Sequence, residues 1–374
     1  MANATIAPNS NDNGNAEDRP LGPFVRGSRH RSEPFHDRTD TIGATAIQRG
    51  PEDVAAFGFI RHVLVLVEAT GGAAGSATVA AAEDAPFSVL DQVSLADVNG
   101  NPLVGPLSGF ELYLANKYGA YTGGLLDPKQ SPGYSAPDSD GNFSFLLRLP
   151  VEISGRDALG ALTNQNAGQT YKVSYTIAPS GQVYDEAPDT LPDVRVRAWL
   201  EAWTQPKGAD LLGNPVAQMP PAHGSMQMWT RWTYNHASGS NQVRFPRVGN
   251  SIRTLVAVLR DSDGARTNDE WPDPVQLRVD GNTLDNVARA VLRHRMAEQY
   301  GFDGADDAAG GLDTGVFAWS YAADLDGRPG FEMRDAYLAT TQATRLEVEG
   351  SFGGAGTLAV LTNDVASAGN IFAS

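Results

Sequence analysis

The chain has 374 residues, a formal net charge of −16 and a sequence pI near 4.7. Such acidity argues against a surface that grips nucleic acid, because phosphate binding needs clustered Lys and Arg. The length suits two domains, no run of about twenty apolar residues is present to cross a membrane, and the absence of cysteine removes disulfides and thiolate chemistry. The polar N-terminus has no signal-peptide pattern, so we expect synthesis in a reducing cytoplasm.

Residues 1–48 are polar and poor in large hydrophobic side chains, which predicts an extended N-terminal arm. The arm is locally basic in an otherwise acidic chain. One interpretation is a solvated tail, and the other is an arm that contacts a neighbouring subunit or anionic lipid headgroups. The candidate contact residues in the arm are Arg19, Arg26, Arg29, Arg31 and Arg38.

Residues 49–205 contain several predicted strands and one predicted helix. The apolar, β-branched run Phe59–Val67 predicts a strand that is buried on both faces, and the alternation in Tyr171–Ile177 predicts a half-buried antiparallel strand. Between them, Pro106–Tyr121 spaces its large apolar residues for a helix. Few helices and many short strands indicate an antiparallel sandwich rather than a parallel α/β sheet.

The proline- and glycine-rich residues 206–224 predict a linker to a second unit at 225–366, and 367–374 form a C-terminal tail. The second unit contains a further predicted helix, with Val287, Val291 and Leu292 as its apolar stripe.

The two halves repeat one pattern. The apolar run Phe59–Val67 returns as Ser251–Leu259, and the Asn99-Gly100 turn signal returns as Asp280-Gly281. A helical pattern ending in Tyr-Gly follows each turn. The chain is therefore predicted to be all-β, with two tandem eight-stranded jelly rolls that each carry a short inserted helix.

The sequence contains none of the phosphate-loop, serine-hydrolase or zinc-protease motifs, and we expect no catalytic, cofactor or metal site. His62 lies in an apolar strand and is interpreted as a core or interface histidine. The paired acids Glu83 and Asp84, like the acidic turn at 261–264, are interpreted as acidic loops. Three further candidate contacts, which are open to interpretation as an anion site or a solvated helix face, are Arg289, Arg293 and Arg295.

Four tryptophans lie at strand spacing and are open to two interpretations, a sugar-binding platform or residues of the core and subunit interfaces. They are Trp199, Trp203, Trp229 and Trp232.

The duplicated pattern resembles the double jelly-roll major capsid proteins of tailless icosahedral bacteriophages with an internal membrane, in particular the tectivirus-like group. The resemblance covers roughly residues 50–366. It is carried by Ile60–Val67, Glu83-Asp84-Ala85-Pro86, Val93–Asn101, Phe110–Tyr118, Ile252–Leu259 and Gln276–Tyr300.

This resemblance implies a non-enzymatic shell protein that forms pseudo-hexameric homotrimers over an internal membrane. Its implied partners are other copies of itself, penton or minor capsid proteins, and lipid through the N-terminal arm, with no direct contact to nucleic acid. It implies location in the virion capsid after synthesis and assembly in the host bacterial cytoplasm. The alternatives are a two-jelly-roll carbohydrate-binding or amidase-type protein and a minor vertex protein of the same viral lineage.

Overall fold

The computed structural model describes residues 21–119, 121, 127–246, 248–300, 307, 311–322 and 336–366. The strands of the first half are β1 (His30–Thr41), β2 (Ile47–Asp53), β3 (Phe59–Thr70), β4 (Ala80–Ala81), β5 (Leu90–Ala96), β6 (Pro102–Leu107), β7 (Phe143–Pro150), β8 (Leu162–Thr163), β9 (Lys172–Ile177), β10 (Tyr184–Glu186) and β11 (Asp193–Trp203). Those of the second half are β12 (Met226–His236), β13 (Gly239–Phe245), β14 (Ser251–Asp261), β15 (Val275–Val279), β16 (Asn282–Val287), β17 (Val316–Ser320), β18 (Leu338–Ala339), β19 (Leu346–Phe352) and β20 (Gly356–Ala366). The helices are α1 (Phe24–Gly27), α2 (Gly109–Tyr118), α3 (Ser180–Val183) and α4 (Arg289–Tyr300).

Each half is a sandwich of two sheets, each built on four strands in a row, and the short strands β8 and β18 pair in addition with β3 and β14. The first half has the strand orders β1-β11-β3-β7 and β2-β9-β5-β6, and the second has β12-β20-β14-β17 and β13-β19-β15-β16. The two sets of orders match strand for strand, and successive long strands cross between the sheets as in a jelly roll. The predicted double jelly roll is therefore confirmed, with the inserted helices α2 and α4 each following the equivalent hairpin.

The core follows from alternating side chains. In β7, Phe143, Phe145 and Leu147 are buried while the residues between them are partly exposed, and β9 shows the same alternation. Because side chains of a strand point alternately to its two faces, this pattern covers one face of each sheet with apolar groups. Packing these faces together forms one continuous hydrophobic core through both halves.

The two inserted helices differ in burial. All of α2 is buried, and Ser108 and Glu111 form a reciprocal capping box at its start. In α4 only Leu292, Met296 and Tyr300 are buried. The predicted stripe of α4 was therefore partly wrong, since Val287 lies in β16 and Val291 is exposed.

Both jelly rolls place their chain ends on one side, which we call the base. His30 at the start of β1 lies opposite Trp203 at the end of β11, and Trp203 also lies opposite Phe59. In the second half, Met226 lies opposite Ala366. The segment between β11 and β12, which contains the predicted linker 206–224, therefore runs along the base.

The predicted arm of residues 1–48 requires a correction. Residues 30–41 are extended, but they form β1, which is hydrogen-bonded to β11 as the first strand of the first jelly roll. Their polar side chains show no hydrophobic alternation, and the strand is held by backbone hydrogen bonds instead. Residues 1–20 and the predicted tail 367–374 lie outside the described residues.

Candidate functional site

Two of the predicted contact arginines lie at the base beside the linker. Arg26 is in α1, whose Phe24 is buried against Phe59 and Trp203. The Arg29 backbone N–H donates to Thr204 Oγ1 at 2.9 Å, and the Thr204 N–H donates to the Arg29 carbonyl at 2.8 Å. These contacts fix the backbone and leave both guanidinium groups exposed.

Two further arm arginines have nearby acidic neighbours. Arg31 pairs with Glu33, and its guanidinium lies 4.4 Å from the centre of the Phe57 ring. Arg38 lies 3.5 Å from Asp40. Arg19 lies outside the described residues. The role of these arginines in subunit or membrane contact stays a prediction.

The three arginines of α4 do not form a common anion site. Arg293 is largely buried and donates to Asn268 Oδ1 and to Asp307, both at 2.7 Å. Burial lowers its pKa, against the opposing effect of Asp307. Arg289 donates to the Asn268 carbonyl, whereas Arg295 pairs with Asp285 at 2.8 Å. Arg293 therefore anchors α4, and the other two remain partly exposed.

The two jelly rolls are joined through their sheets. Val104 of β6 lies opposite Trp229 of β12 in a parallel pairing, and both side chains are fully buried. Trp229 Nε1 donates to the Tyr121 hydroxyl at 2.5 Å, and that hydroxyl donates to Gln227 Oε1 at 2.6 Å. Gln227 in turn donates to the Glu152 carbonyl at 2.7 Å. This junction links β6 to β12 in a nine-stranded sheet.

A buried ion pair fastens α2 to the second jelly roll. Lys117 Nζ donates to Asp313 at 2.5 Å and pairs with Asp127 at 2.8 Å, and the Tyr118 hydroxyl donates to Asp313 at 2.8 Å. The side chains of Lys117 and Asp313 are 3% and 0% exposed. Burial lowers the pKa of Lys117, but the two carboxylates outweigh it and raise the pKa overall. The ammonium group is therefore charged at neutral pH.

A second ionic cluster crosses the same junction. Glu83 and Asp84 of the first half face Arg260 and Arg266 of the second. The Arg266 guanidinium is fully buried and donates to Asp84 at 2.9 Å and to the Glu83 carbonyl at 3.0 Å. The paired acids are thus structural clamps between the jelly rolls.

A cleft of about 560 Å³ lies beside this cluster, between the two jelly rolls. Glu111 lines it and forms an ion pair with Arg231 at 2.9 Å. Burial raises the pKa of Glu111, and Arg231 opposes that shift. In the described part of the chain, no group of three or more His, Cys, Asp or Glu is arranged to hold a metal ion.

Other residues considered for chemistry have structural surroundings. His62 is buried, and its burial, with Arg148 and Arg61 nearby, lowers its pKa well below the usual value. Trp203 and Trp229 are buried, so they cannot form a sugar platform with Trp199 and Trp232, which are partly exposed. Over residues 21–119, 121, 127–246, 248–300, 307, 311–322 and 336–366, no helix is long and apolar enough to span a membrane.

Two strand edges stand out because their equivalents are covered. β6 is covered by β12, whereas its equivalent β16 is the last strand of its sheet, and Leu284 in it is 51% exposed. β12 is covered by β6, whereas its equivalent β1 is a terminal strand with mostly exposed side chains. The edge strands β6 and β12 are thus paired with each other within the chain. Among the described residues, their equivalents β16 and β1 remain open edges.

Comparison with solved structures identifies the same architecture. The major capsid protein of Sulfolobus turreted icosahedral virus matches with a TM-score of 0.60 and 12% identity, over 91% of this chain and 97% of that one. The major capsid protein P2 of bacteriophage PM2 matches with a TM-score of 0.54 and 11% identity, over 92% and 99% of the two chains. The chain has the double jelly-roll fold of viral major capsid proteins.

The capsid of the virus PBCV-1 matches this double jelly roll with a TM-score of 0.54 and 9% identity, over 93% of this chain and 96% of that one. No protein-family model matches the sequence, and no curated protein matches it either. The likeness is therefore one of architecture over nearly the whole chain, carried by strand order rather than by shared motifs.

Sequence reasoning missed the junction between the jelly rolls. Lys117 lies within the predicted helix Pro106–Tyr121, and no sequence pattern singles out Lys117 or Asp313. The two residues are 196 positions apart, so no local pattern predicts their pairing. One available signal was that Lys117 is one of only four lysines in the chain and lies next to an apolar helix stripe.

Proposed function

We propose that this protein is a major capsid subunit that assembles, without catalysis, as a homotrimer with six jelly rolls in a ring. The fold shared with viral major capsid proteins supports the shell role. The junction between β6 and β12 supports the ring. It joins two different surfaces of equivalent units, and such heterologous contacts close into rings when the rotation per contact allows it.

The main support for the proposed trimer is the pair of open sheet edges at β16 and β1. In the first jelly roll, Val104 of β6 is 0% exposed because the second jelly roll covers it. In the second jelly roll, the equivalent strand β16 leaves Leu284 51% exposed, and the equivalent acceptor β1 is also open. A second copy that placed its β1 beside β16 would repeat the internal junction between chains. Three copies then supply six equivalent junctions.

The proposed setting is an icosahedral virion shell over an internal membrane, assembled in a bacterial host. Residues 21–29 and the linker lie at the base of the subunit, so a membrane beneath the base would meet the segments that carry Arg26 and Arg29. Penton or minor capsid proteins complete the proposed set of partners. A carbohydrate-binding function is not favoured, because two of its four candidate tryptophans are in the core.

The test is the mass of the purified chain by light scattering at micromolar concentration. We expect a particle of three chains, each of 39.7 kDa in the full-length protein, and again three chains after removal of residues 1–20. Leu284→Arg places a charge in the proposed interface and should dissociate the trimer. Leu212→Arg, at a leucine that is 86% exposed and lies outside that interface, is the control and should leave the mass unchanged.

A monomeric wild-type chain would refute the preformed trimer. A trimer that is insensitive to Leu284→Arg would retain the shell proposal but reject β16 as the contact strand.

A further inference from the structure

A turn at the base holds two leucines in solvent. Leu211 and Leu212 are 88% and 86% exposed. The Asp210 N–H donates to the Asn214 carbonyl at 2.9 Å, and Asp210 Oδ1 accepts the N–H groups of Leu212 and Asn214, both at 2.9 Å. Gly213 adopts a φ of 81°, which the turn requires and glycine allows. The turn is therefore internally braced, and the two leucines project from a defined support.

These leucines belong to a larger apolar group. Seven large hydrophobic side chains are exposed in the described part of the chain, and four of them lie in two segments, 21–27 and 204–219. The segments are joined by backbone hydrogen bonds from Gly22 to Pro215 at 2.8 Å and from Ala217 to Gly22 at 2.9 Å. Single exposed hydrophobic residues are ordinary, but this grouping marks an interaction surface. We call it the base tip, and it consists of Leu21, Leu211, Leu212 and Met219.

The charges around the base tip are mostly positive, although the chain carries −16 overall. Residues 21–29 and 204–219 contain Arg26, Arg29 and Lys207, all exposed, and Asp210 as their one acidic residue. Asp210 accepts the hydrogen bonds of the turn, which lower its pKa together with the nearby Arg26. The carboxylate therefore stays ionised within the turn, and the three exposed cations outnumber it in these two segments.

We propose that the base tip docks on an anionic lipid bilayer, with Leu211 and Leu212 in the interfacial region and the three cations against phosphate headgroups. A bilayer fits better than another protein, because the leucines project from a convex turn and lysine is depleted from protein–protein interfaces. The inference rests on the proposed function, since a shell over an internal membrane supplies the lipid surface below the base.

The test is flotation of the full chain with vesicles of phosphatidylglycerol and phosphatidylcholine in equal parts, compared with phosphatidylcholine alone. We expect binding to the anionic vesicles, and a loss of at least about tenfold in affinity for Leu211→Ser/Leu212→Ser, because two apolar side chains no longer enter the interface. Arg26→Gln and Lys207→Gln should each weaken binding about fivefold, the effect of one charge near an anionic surface.

Val291→Ser is the matched control, since Val291 is 46% exposed on α4 and its loss should leave vesicle binding unchanged. Light scattering on the same samples separates this inference from the proposed function. A wild-type trimer that does not float, or a leucine variant that floats as well as the wild type, would overturn lipid docking and leave the shell proposal intact. A leucine variant that falls apart into monomers would overturn it as well, by assigning the base tip to subunit contact.

Discussion

Replacing Lys117 by methionine tests whether the buried ion pair holds the two jelly rolls together. The side chains of Lys117 and Asp313 are 3% and 0% exposed, and Asp127, the second carboxylate on the ammonium, is 10% exposed. Methionine keeps most of the buried volume but removes the ammonium group that pairs with the Asp313 carboxylate. Removing one partner of a buried pair costs about 3–5 kcal/mol of unfolding free energy, because the other charge is left uncompensated.

The matched control is Lys172→Met. Lys172 also pairs with an aspartate, Asp53, but these side chains are 42% and 65% exposed. An exposed pair contributes little to stability, since water solvates the remaining carboxylate. Urea unfolding followed by tryptophan fluorescence gives both values, because Trp229 lies at the junction. The double variant Lys117→Met/Asp313→Asn should recover part of the loss, because the fully buried carboxylate is neutralised and only Asp127, which is 10% exposed, keeps its charge.

Equal destabilisation by the two lysine substitutions would refute this reasoning, since Lys117 is buried and pairs with two carboxylates, whereas Lys172 is exposed and pairs with one. The raised pKa of Lys117 fixes the pH range of the experiment. A lysine whose pKa is higher in the folded state contributes its full stabilisation below the unfolded value near 10.5 and loses it as the pH rises through the folded pKa. Measurements at neutral pH therefore report the whole contribution.

Three further predictions concern the same junction and α2. Burial raises the pKa of Glu111 above 4.5, so ionisation of this carboxyl should lower the stability as the pH rises from 4.5 through the folded pKa. Glu111→Gln should flatten this pH dependence of the urea midpoint, and glutamine retains the capping box. Ser108→Ala should cost about 1 kcal/mol in the same assay, because it removes the N-cap acceptor, and Ser108→Asp should restore it. Arg266→Lys should cost at least about 1.5 kcal/mol, since lysine cannot reproduce the buried guanidinium's hydrogen bonds to Asp84 and the backbone; a neutral outcome would show that the cluster is not a clamp.

The fold was predictable because the strongest sequence signals lie in the strands that form its core. The apolar run Phe59–Val67 and its repeat Ser251–Leu259 lie in β3 and β14, equivalent central strands of the two jelly rolls. The turn signals at 99–100 and 280–281 end the strands of equivalent hairpins. Buried strands and their turns are specified by local sequence patterns, and both copies of the duplicated unit retain these patterns.

β1 was not predicted, because its sequence lacks the alternation that burial imposes. Its residues are largely exposed, and its stability comes from a ladder of backbone hydrogen bonds to β11. The junction residues were missed for a related reason. The pairs Lys117–Asp313 and Glu83–Arg266 each join residues far apart in the sequence. Isolated charged residues in a sequence resemble surface residues until their partners are known.

The duplication also identifies which residues would meet in a second copy of the chain. Equivalent positions follow from the registers, since Phe59 corresponds to Ser251 in β3 and β14. Phe59 lies opposite Trp203, which lies opposite His30, and Ser251 in the same way leads through Val365 to Gln227. His30 of β1 is therefore equivalent to Gln227 of β12, and Ser32 is equivalent to Trp229. The hairpin equivalence of Asn101 and Asn282 makes Asp285 equivalent to Val104. The internal pair of Val104 and Trp229 thus predicts an intermolecular pair of Asp285 and Ser32.

Cysteines at these positions provide a direct test, because the chain has none of its own. Paired strands lie about 4.8 Å apart, which is within the range that a disulfide bridges. On oxidation, Ser32→Cys/Asp285→Cys should form covalent trimers, since each chain would be linked to the next around a closed ring. Each single variant should remain uncrosslinked, because a heterologous contact never brings two copies of the same position together. A double variant that is trimeric by light scattering but monomeric on a denaturing gel would show that the subunits meet elsewhere.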